Sequence, residues 1–167
     1  MKSKRPIRSG RAAVFTAALV LVLATGAFAQ DAALIQKDIG ILSDTSNNPA
    51  ARIVAARELG AIAQDSDSAS GALMNALAND PSPGVRGAAA MALGSAAFPS
   101  AAPVEALIQA LGSDGSAEVR YAAVKGLEVV GVDSNAALQA LQNAAANDAD
   151  ASVRRFAESV AKRFSSD

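Results

Sequence analysis

The sequence contains no cysteine, no histidine and no tryptophan, and it has a single tyrosine among its 167 residues. Without cysteine, disulfides, thiolate metal sites and cysteine nucleophiles are excluded. Without histidine, the commonest general base and metal ligand is missing, and no Ser-His triad can form. We therefore expect no catalytic residue, no cofactor site and no metal site, and we predict that the protein is not an enzyme.

Alanine carries most of the apolar fraction, which is 51% of the residues. Alanine is the best helix former but buries little surface per residue. A core built from it requires helices that approach one another closely. The composition therefore predicts an all-α protein.

The first 29 residues are typical of a secretory signal peptide. Residues 1–11 hold five basic residues and no acid, residues 12–24 are almost entirely apolar, and Ala27-Phe28-Ala29 matches the small-x-small cleavage pattern. An uncleaved anchor is the alternative, but the apolar run is short for a membrane span, which needs about 20 residues. We expect cleavage before Gln30, export to the periplasm or the medium, and no membrane contact afterwards.

The chain that remains after cleavage is acidic. It keeps all 16 acidic residues but only ten of the 15 basic ones, which gives a net charge near −6. Binding to nucleic acid depends on basic residues that neutralise phosphates. We therefore expect no nucleic-acid partner.

A period of 34 residues runs through this chain. Four arginines and three aspartates repeat at that spacing, and each aspartate precedes an arginine by six residues. Repeats of this length are typical of stacked supersecondary units. The repeating residues are Arg52, Arg86, Arg120 and Arg154, with Asp80, Asp114 and Asp148.

Each repeat unit is predicted to contain two helices. Good N-cap residues, Asn48, Ser82, Ser116 and Asp150, begin the first helix, and Ser66, Ser100 and Ser134 precede the second. Apolar residues at helical spacing predict the buried stripes Val85, Ala89 and Leu93, then Leu73, Ala76 and Leu77, with Val119, Ala123, Leu127, Leu107, Ala110, Leu111, Leu138, Leu141 and Ala144 in later units. Ala92 is expected outside the stripe, and Gly60, Gly94 and Gly131 are expected at helix C-termini.

These signals divide the chain into an ordered series of segments. A signal peptide, 1–29, precedes a repeat domain, 30–167. The domain begins with a capping helix at about 32–43 and continues with repeats at about 48–80, 82–114 and 116–148. It ends in a half-repeat, 150–165. The total is about eight helices.

The repeated core "D-x-x-x-x-V-R-x-x-A", as in Asp80, Val85, Arg86 and Ala89, resembles the HEAT-repeat family. It is most similar to the short bacterial type typified by phycobilisome lyases. The resemblance implies an α-solenoid of helical hairpins, an armadillo-like superhelix whose second helices line the concave side. It also implies that the repeated charges form a structural ladder between turns, made of Asp80, Arg86, Asp114, Arg120, Asp148 and Arg154.

The second helices carry a repeated polar row opposite their buried stripe. Asn75, Gln109 and Asn143 occupy one register position, and amides can both donate and accept hydrogen bonds. An ordinary solvated helix face is the alternative interpretation. The predicted binding face consists of Asn75, Gln109, Asn143, Glu105, Gln139, Met74 and Ile108.

The function expected from this resemblance is a non-catalytic scaffold that binds a protein or peptide. One alternative is an accessory subunit of an enzyme, as for lyase-like HEAT proteins. Another is a self-assembling structural protein that uses its C-terminal edge. Phe156 and Phe164 at that edge are predicted either to cap the core or to bind another molecule, so that the protein is a monomer or a weak oligomer.

Overall fold

The computed structural model describes residues 32–62, 66–96, 101–130 and 135–165. The predicted leader, 1–29, lies outside the described residues, as do Ser100, Gly131 and Ser134. The chain divides into two units, Met1–Leu34 and Ile35–Asp167. All of the predicted repeats lie in the second unit.

Eight helices and no strand occur in the described part of the chain, which confirms the all-α prediction. The first helix, α1, covers residues 32–43. The others are α2 (Pro49–Ile62), α3 (Asp67–Asn79), α4 (Pro83–Ser95), α5 (Ala102–Ser113), α6 (Ala117–Val130), α7 (Asn135–Asn147) and α8 (Ala151–Phe164).

The helices of the second unit form two layers. Helices α2, α4, α6 and α8, here called the A helices, each contact the next A helix. Helices α3, α5 and α7 stack in the same way and, with α1, are called the B helices. Leu42 and Ser43 of α1 share a small cavity with Ala72 and Asn75 of α3, which places the end of α1 beside α3. This stacking of helical hairpins is the predicted α-solenoid.

The core between the layers contains the predicted stripes. Val85, Ala89 and Leu93 are fully buried, and so are the equivalent residues of α6 and the leucines of α3 and α5. Leu138 is only half-buried, although it packs against the core. Ala92 lies outside this stripe, as expected, but it is nevertheless buried and only 3% exposed. It faces the preceding A helix rather than the B layer.

The glycines near the ends of α2 and α4 are inside the helices and do not cap them. A Cβ atom added to Gly60 would lie 2.8 Å from Cβ of Ala92, and one added to Gly94 would overlap Gly126. These glycines therefore allow neighbouring A helices to touch through their backbones. The C-terminal role expected for Gly60 and Gly94 is wrong, and Gly126 is a contact that the sequence reading missed.

Several predicted N-caps make the expected hydrogen bonds. Oδ1 of Asn48 accepts from N–H of Ala50 at 2.8 Å, and Oγ of Ser66 accepts from N–H of Ala69 at 3.3 Å. Oδ1 of Asp150 accepts from N–H of Ser152 at 2.7 Å. Ser82 has an extended cap conformation but makes no such side-chain bond. These bonds fix the starts of α2, α3 and α8.

Candidate functional site

The repeated arginines and aspartates form forked ion pairs 28 residues apart in the chain. In each pair, Nε and Nη2 of the arginine donate to the two carboxylate oxygens of the aspartate, a geometry that suits the planar guanidinium. The Nε–Oδ2 distances are 2.8 Å for Arg52–Asp80, 2.7 Å for Arg86–Asp114 and 2.8 Å for Arg120–Asp148. We call this set of three pairs the ladder.

A third arginine nitrogen connects each rung to the preceding turn. Nη1 of Arg86 donates to the backbone carbonyl of Asp80 at 3.0 Å, and Nη1 of Arg120 donates to that of Asp114 at 2.9 Å. Within the D-x₅-R motif, the aspartate thus contributes its backbone to its own arginine and its carboxylate to the arginine of the repeat before. Each arginine joins two successive turns.

The first rung is the most deeply buried. The side chains of Arg52 and Asp80 are each 2% exposed, whereas those of Arg86 and Arg120 are 16% and 14% exposed. The longer turn before α2 explains the difference, because the carbonyls of Thr45 and Asn47 both accept from Nη1 of Arg52. Arg52 lies in the repeating register but is missing from the predicted set of ladder residues.

Two of the ladder carboxylates, those of Asp114 and Asp148, are held in their charged form. Hydrogen bonds from Arg120 and from N–H of Asp150 outweigh burial and keep the pKa of Asp148 below its ordinary value. Burial alone would raise the pKa of Asp114, but the hydrogen bonds from Arg86 and Ser116 and the nearby arginine charges keep it lowered. Asp148 in turn raises the pKa of Arg120. The Arg86–Asp114 and Arg120–Asp148 rungs are therefore true ion pairs at neutral pH.

The last arginine of the register differs from the others. Nη1 of Arg154 donates to the carbonyls of Asp148 at 2.7 Å and Ala149 at 3.0 Å, so its backbone contacts repeat those of Arg120. Among the described residues, however, no carboxylate pairs with it. The structure thus places five of the six predicted ladder residues in ion pairs and leaves Arg154 at the open end.

Two equivalent clefts lie between successive B helices, next to the ladder. The cleft between α3 and α5, with a volume of about 470 Å³, includes Met74, Asn79 and Gln109. The cleft between α5 and α7, about 530 Å³, includes Ile108, Ser113 and Asn143. Each residue of the first set is one repeat before its counterpart in the second. The surface therefore presents the same kind of cleft twice.

The predicted amides occupy one wall of these clefts. Gln109 lines the α3–α5 cleft, Asn143 the α5–α7 cleft, and Asn75 the smaller cavity of about 50 Å³ beside α1. All three are exposed, and we call them the amide row. Met74 and Ile108 lie half-buried on the opposite walls. Glu105 and Gln139 are exposed but line none of these clefts.

Hydrogen bonds within the helices leave donors available in this row. Nδ2 of Asn79 donates to Oδ1 of Asn75 at 2.7 Å, and Nδ2 of Asn147 donates to Oδ1 of Asn143 at 2.8 Å. Asn75 and Asn143 therefore use an acceptor oxygen locally and direct their NH₂ groups elsewhere.

The aromatic residues of α8 pack against the body of the protein. The ring of Phe156 stacks on Tyr121 of α6 with centroids 4.7 Å apart and an interplanar angle of 26°. Phe156 and Phe164 are both half-buried against the core. This packing accounts for both rings within one chain.

The described residues contain neither a cluster of metal ligands nor a membrane-spanning helix. Within these residues, no group of three or more acidic side chains is arranged to hold a metal ion. No described helix has both the length and the apolar character that a membrane span requires.

A family comparison agrees with this geometry. The model of the HEAT repeats family matches residues 39–104 and 70–161, which together span most of the chain and include all three rungs of the ladder. The chain belongs to the HEAT-repeat family. HEAT repeats generally mediate protein–protein interaction. A search of curated proteins gave no significant match.

Proposed function

We propose that this HEAT-repeat protein is an exported, non-catalytic scaffold that binds a protein or peptide on the surface of its B helices. The observation that carries the proposal is the repetition of one cleft at the period of the chain. Two clefts of similar volume have equivalent walls, one repeat apart. A surface that presents the same groups at regular intervals suits a ligand that is itself regular, such as an extended polypeptide.

The chemistry of the clefts suits a peptide backbone. Amide side chains can donate to and accept from backbone groups, and the NH₂ groups of Asn75 and Asn143 are directed away from their local partners. The half-buried Met74 and Ile108 supply apolar contact on the opposite walls. One wall can therefore form hydrogen bonds with the backbone of the ligand, and the other can make apolar contacts with its side chains.

The spacing of the clefts suggests the form of the ligand. Neighbouring packed helices lie roughly 8–10 Å apart. A polyproline II segment rises about 3.1 Å per residue and repeats its side-chain direction every third residue. Side chains three positions apart would then enter successive clefts.

Export and the absence of catalysis are supported by the sequence. The leader-like segment 1–29 precedes the repeats, and the chain lacks both histidine and cysteine. A leader followed by a repeat domain is the arrangement of a protein that acts outside the cytoplasm.

The direct test replaces the amide row. Asn75, Gln109 and Asn143 are changed together to Glu, folding is checked by circular dichroism, and partners are recovered from a periplasmic extract by pull-down. The matched control carries Ala61→Glu, Ser95→Glu and Ser159→Glu, at exposed positions on A helices. We expect the control to recover the same partner as the unaltered protein and the amide-row variant to lose it. Full recovery by the folded amide-row variant would dismiss this surface.

A further inference from the structure

The N-terminal end of the ladder presents an aspartate in the geometry of a rung. Asp44 ends α1 by donating its N–H to the carbonyl of Gly40 at 3.3 Å, as Asp80 ends α3 by donating to Ala76 at 3.0 Å. Oδ1 of Asp44 accepts from N–H of Ser46 at 3.0 Å, as Oδ1 of Asp80 accepts from Ser82 at 2.8 Å. Unlike Asp80, Asp44 is exposed, and no arginine among the described residues pairs with it.

The C-terminal end presents the complementary arginine. Arg154 holds the same position on α8 as Arg120 on α6, and its Nη1 is fixed by the carbonyls of Asp148 and Ala149. In Arg120, the remaining edge of the guanidinium, Nε and Nη2, binds the carboxylate of Asp148 at 2.8 Å through each nitrogen. In Arg154, that edge has no carboxylate partner within the described part of the chain.

The helices at the two ends are also complementary, because one is a B helix and the other is an A helix. Among the described residues, the first helix of the repeat domain is a B helix, α1, and the last is an A helix, α8. Every internal rung joins an A helix to the end of the B helix of its own hairpin, as Arg120 on α6 joins Asp148 after α7. Helix α8 of one molecule and α1 of another would make such a hairpin.

We propose that copies of this chain associate head to tail, with Arg154 of one copy forming the ladder pair with Asp44 of the next. The junction continues the solenoid, because α8 of one copy and α1 of the other supply the two halves of one repeat. Such a contact uses different surfaces on the two copies, so it leaves one free end of each kind and can propagate.

The surfaces around the proposed pair are consistent with this junction. On α4, Val85, Ala88 and Ala92 are all buried, and Ala92 lies against Gly60 of the preceding A helix. The equivalent residues of α2 are Ala51, Val54 and Glu58, and all three are exposed. Val54 alone is 49% exposed although it is a large apolar residue. The N-terminal edge thus presents a stacking face.

The register also brings opposite charges together at the junction. Inside the protein, Gly60 meets Ala92 and Gly94 meets the next A helix one repeat later. Continued past the C-terminus, this register places Lys162, two repeats after Gly94, opposite Glu58 of the following copy. Lys162 and Glu58 are both exposed. The α2–α4 and α4–α6 junctions bring small residues together. This one would bring Glu58 of the next copy near Lys162, which also pairs with Glu158 of its own helix.

The far edge of the protein has room for the incoming helix. A cleft of about 590 Å³ lies between α7 and α8, and its walls include Gln142, Ala145 and Ala161. Ala145 occupies the position of Leu77 and Leu111, which internal repeats bury against the next B helix. Helix α1 of the next copy would lie along this cleft. This contact does not involve the amide row and is independent of the partner binding proposed above.

The test is a charge exchange measured by sedimentation velocity over a concentration series of the purified protein at low ionic strength. We expect the unaltered protein to show an average mass that rises with concentration above that of one chain. Asp44→Arg and Arg154→Asp each place like charges at the junction, and we expect each alone to associate at least about tenfold more weakly. An equimolar mixture of the two variants restores opposite charges at every junction between unlike copies, so we expect its association to recover.

Two further variants keep the result interpretable. Asp44→Asn keeps the oxygen that accepts from Ser46 and removes only the charge, so a weaker association of this variant excludes misfolding of the turn as the cause. Glu118→Arg makes the same reversal on the exposed first turn of α6 and should associate like the unaltered protein. A constant single-chain mass at all concentrations would overturn the proposal. Association that both single reversals leave unchanged, or a mixture that stays dissociated, would overturn it as well.

Discussion

Gly94 on α4 lies directly against the backbone of Gly126 on α6, with no room for a Cβ atom between them. A methyl group there would have to displace main-chain atoms of a packed helix, because Cα, C and O of Gly126 surround the position. The spacing of the A layer is therefore fixed by the absence of side chains at this crossing.

We predict that Gly94→Ala destabilises the protein by about 1–3 kcal/mol, the usual cost of overpacking an interior. Gly71→Ala is the matched control, because Gly71 lies within α3 with no atom near the added Cβ. Alanine at such a helical site should stabilise by about 0.5–1 kcal/mol. Urea unfolding of the two variants measures both effects, and shifts of the same sign would contradict the close approach of α4 and α6.

A ladder arginine should stabilise the protein most where it pairs with a carboxylate. We predict that Arg120→Ala lowers the free energy of unfolding by about 3 kcal/mol, near the low end for a broken buried pair because the side chain is 14% exposed. Arg154→Ala removes the same residue type from the same register but only backbone contacts, and should cost less than half as much. Chemical denaturation of the two variants provides the comparison.

The partner of Arg120 can be identified by a double-mutant cycle. The side chain that it binds is Asp148, whereas Asp114 offers it a backbone carbonyl. We therefore predict a coupling energy of about 1–3 kcal/mol between Arg120→Ala and Asp148→Ala, measured in urea. The cycle of Arg120→Ala with Asp114→Ala should show a smaller coupling, and a reversed order of the two would mean that the rung is assigned to the wrong aspartate.

Acid should lower the stability of the folded protein by protonating the carboxylates of Asp114 and Asp148. The pKa values of Asp114 and Asp148 are lowered in the folded state by their arginines and by backbone N–H groups. Their stabilising contribution is therefore complete above the ordinary carboxyl pKa, about 3.9, and is lost as the pH falls through the lowered values. Urea midpoints measured from pH 7 to pH 3 should drop mainly below about pH 4. The urea midpoint of Arg120→Ala should fall less steeply with pH. An equally steep fall would mean that the Arg120–Asp148 rung does not cause the loss of stability in acid.

Ala92 should tolerate enlargement as poorly as Ala89. Both are buried, Ala89 against the B layer and Ala92 against Gly60 of the preceding A helix. We predict that Ala89→Leu and Ala92→Leu each cost about 1–3 kcal/mol, whereas Ala78→Leu, at an exposed position on α3, costs little. Thermal melting of the three variants is sufficient, and a melting temperature for Ala92→Leu equal to that of Ala78→Leu would contradict the contact.

The fold could be predicted from the sequence because one 34-residue pattern recurs several times along the chain. A single copy of Val85, Ala89 and Leu93 indicates a helix face, but its recurrence as Val119, Ala123 and Leu127 identifies a stacked solenoid. The packing between A helices could not be predicted in the same way. The residues equivalent to Ala92 are Glu58 and Gly126. Because these three residue types differ, the sequence does not reveal that they lie on the same helix face, which is exposed only at the first repeat.

The ladder was predictable as a set of residues but not as a set of pairs. The motif places Asp114 and Arg120 six residues apart, which suggests that they bind each other. In the structure, the fork of Arg120 reaches forward 28 residues to Asp148, because the end of α7 lies closer to the guanidinium edge than the carboxylate of its own turn does. Sequence spacing shows which residues recur, whereas the path of the chain between them decides which atoms meet.

The reach of each arginine to two successive turns has a consequence for how such a chain can change its length. Removal or duplication of a segment of one 34-residue period within the repeats leaves each remaining rung with a carbonyl behind its arginine and a carboxylate ahead of it. An insertion of another length inside one of the helices shifts one of these groups out of register and breaks a rung. Genes for proteins of this kind can therefore gain or lose whole units by recombination. Products whose repeats are out of register lose a rung of the ladder and are less stable.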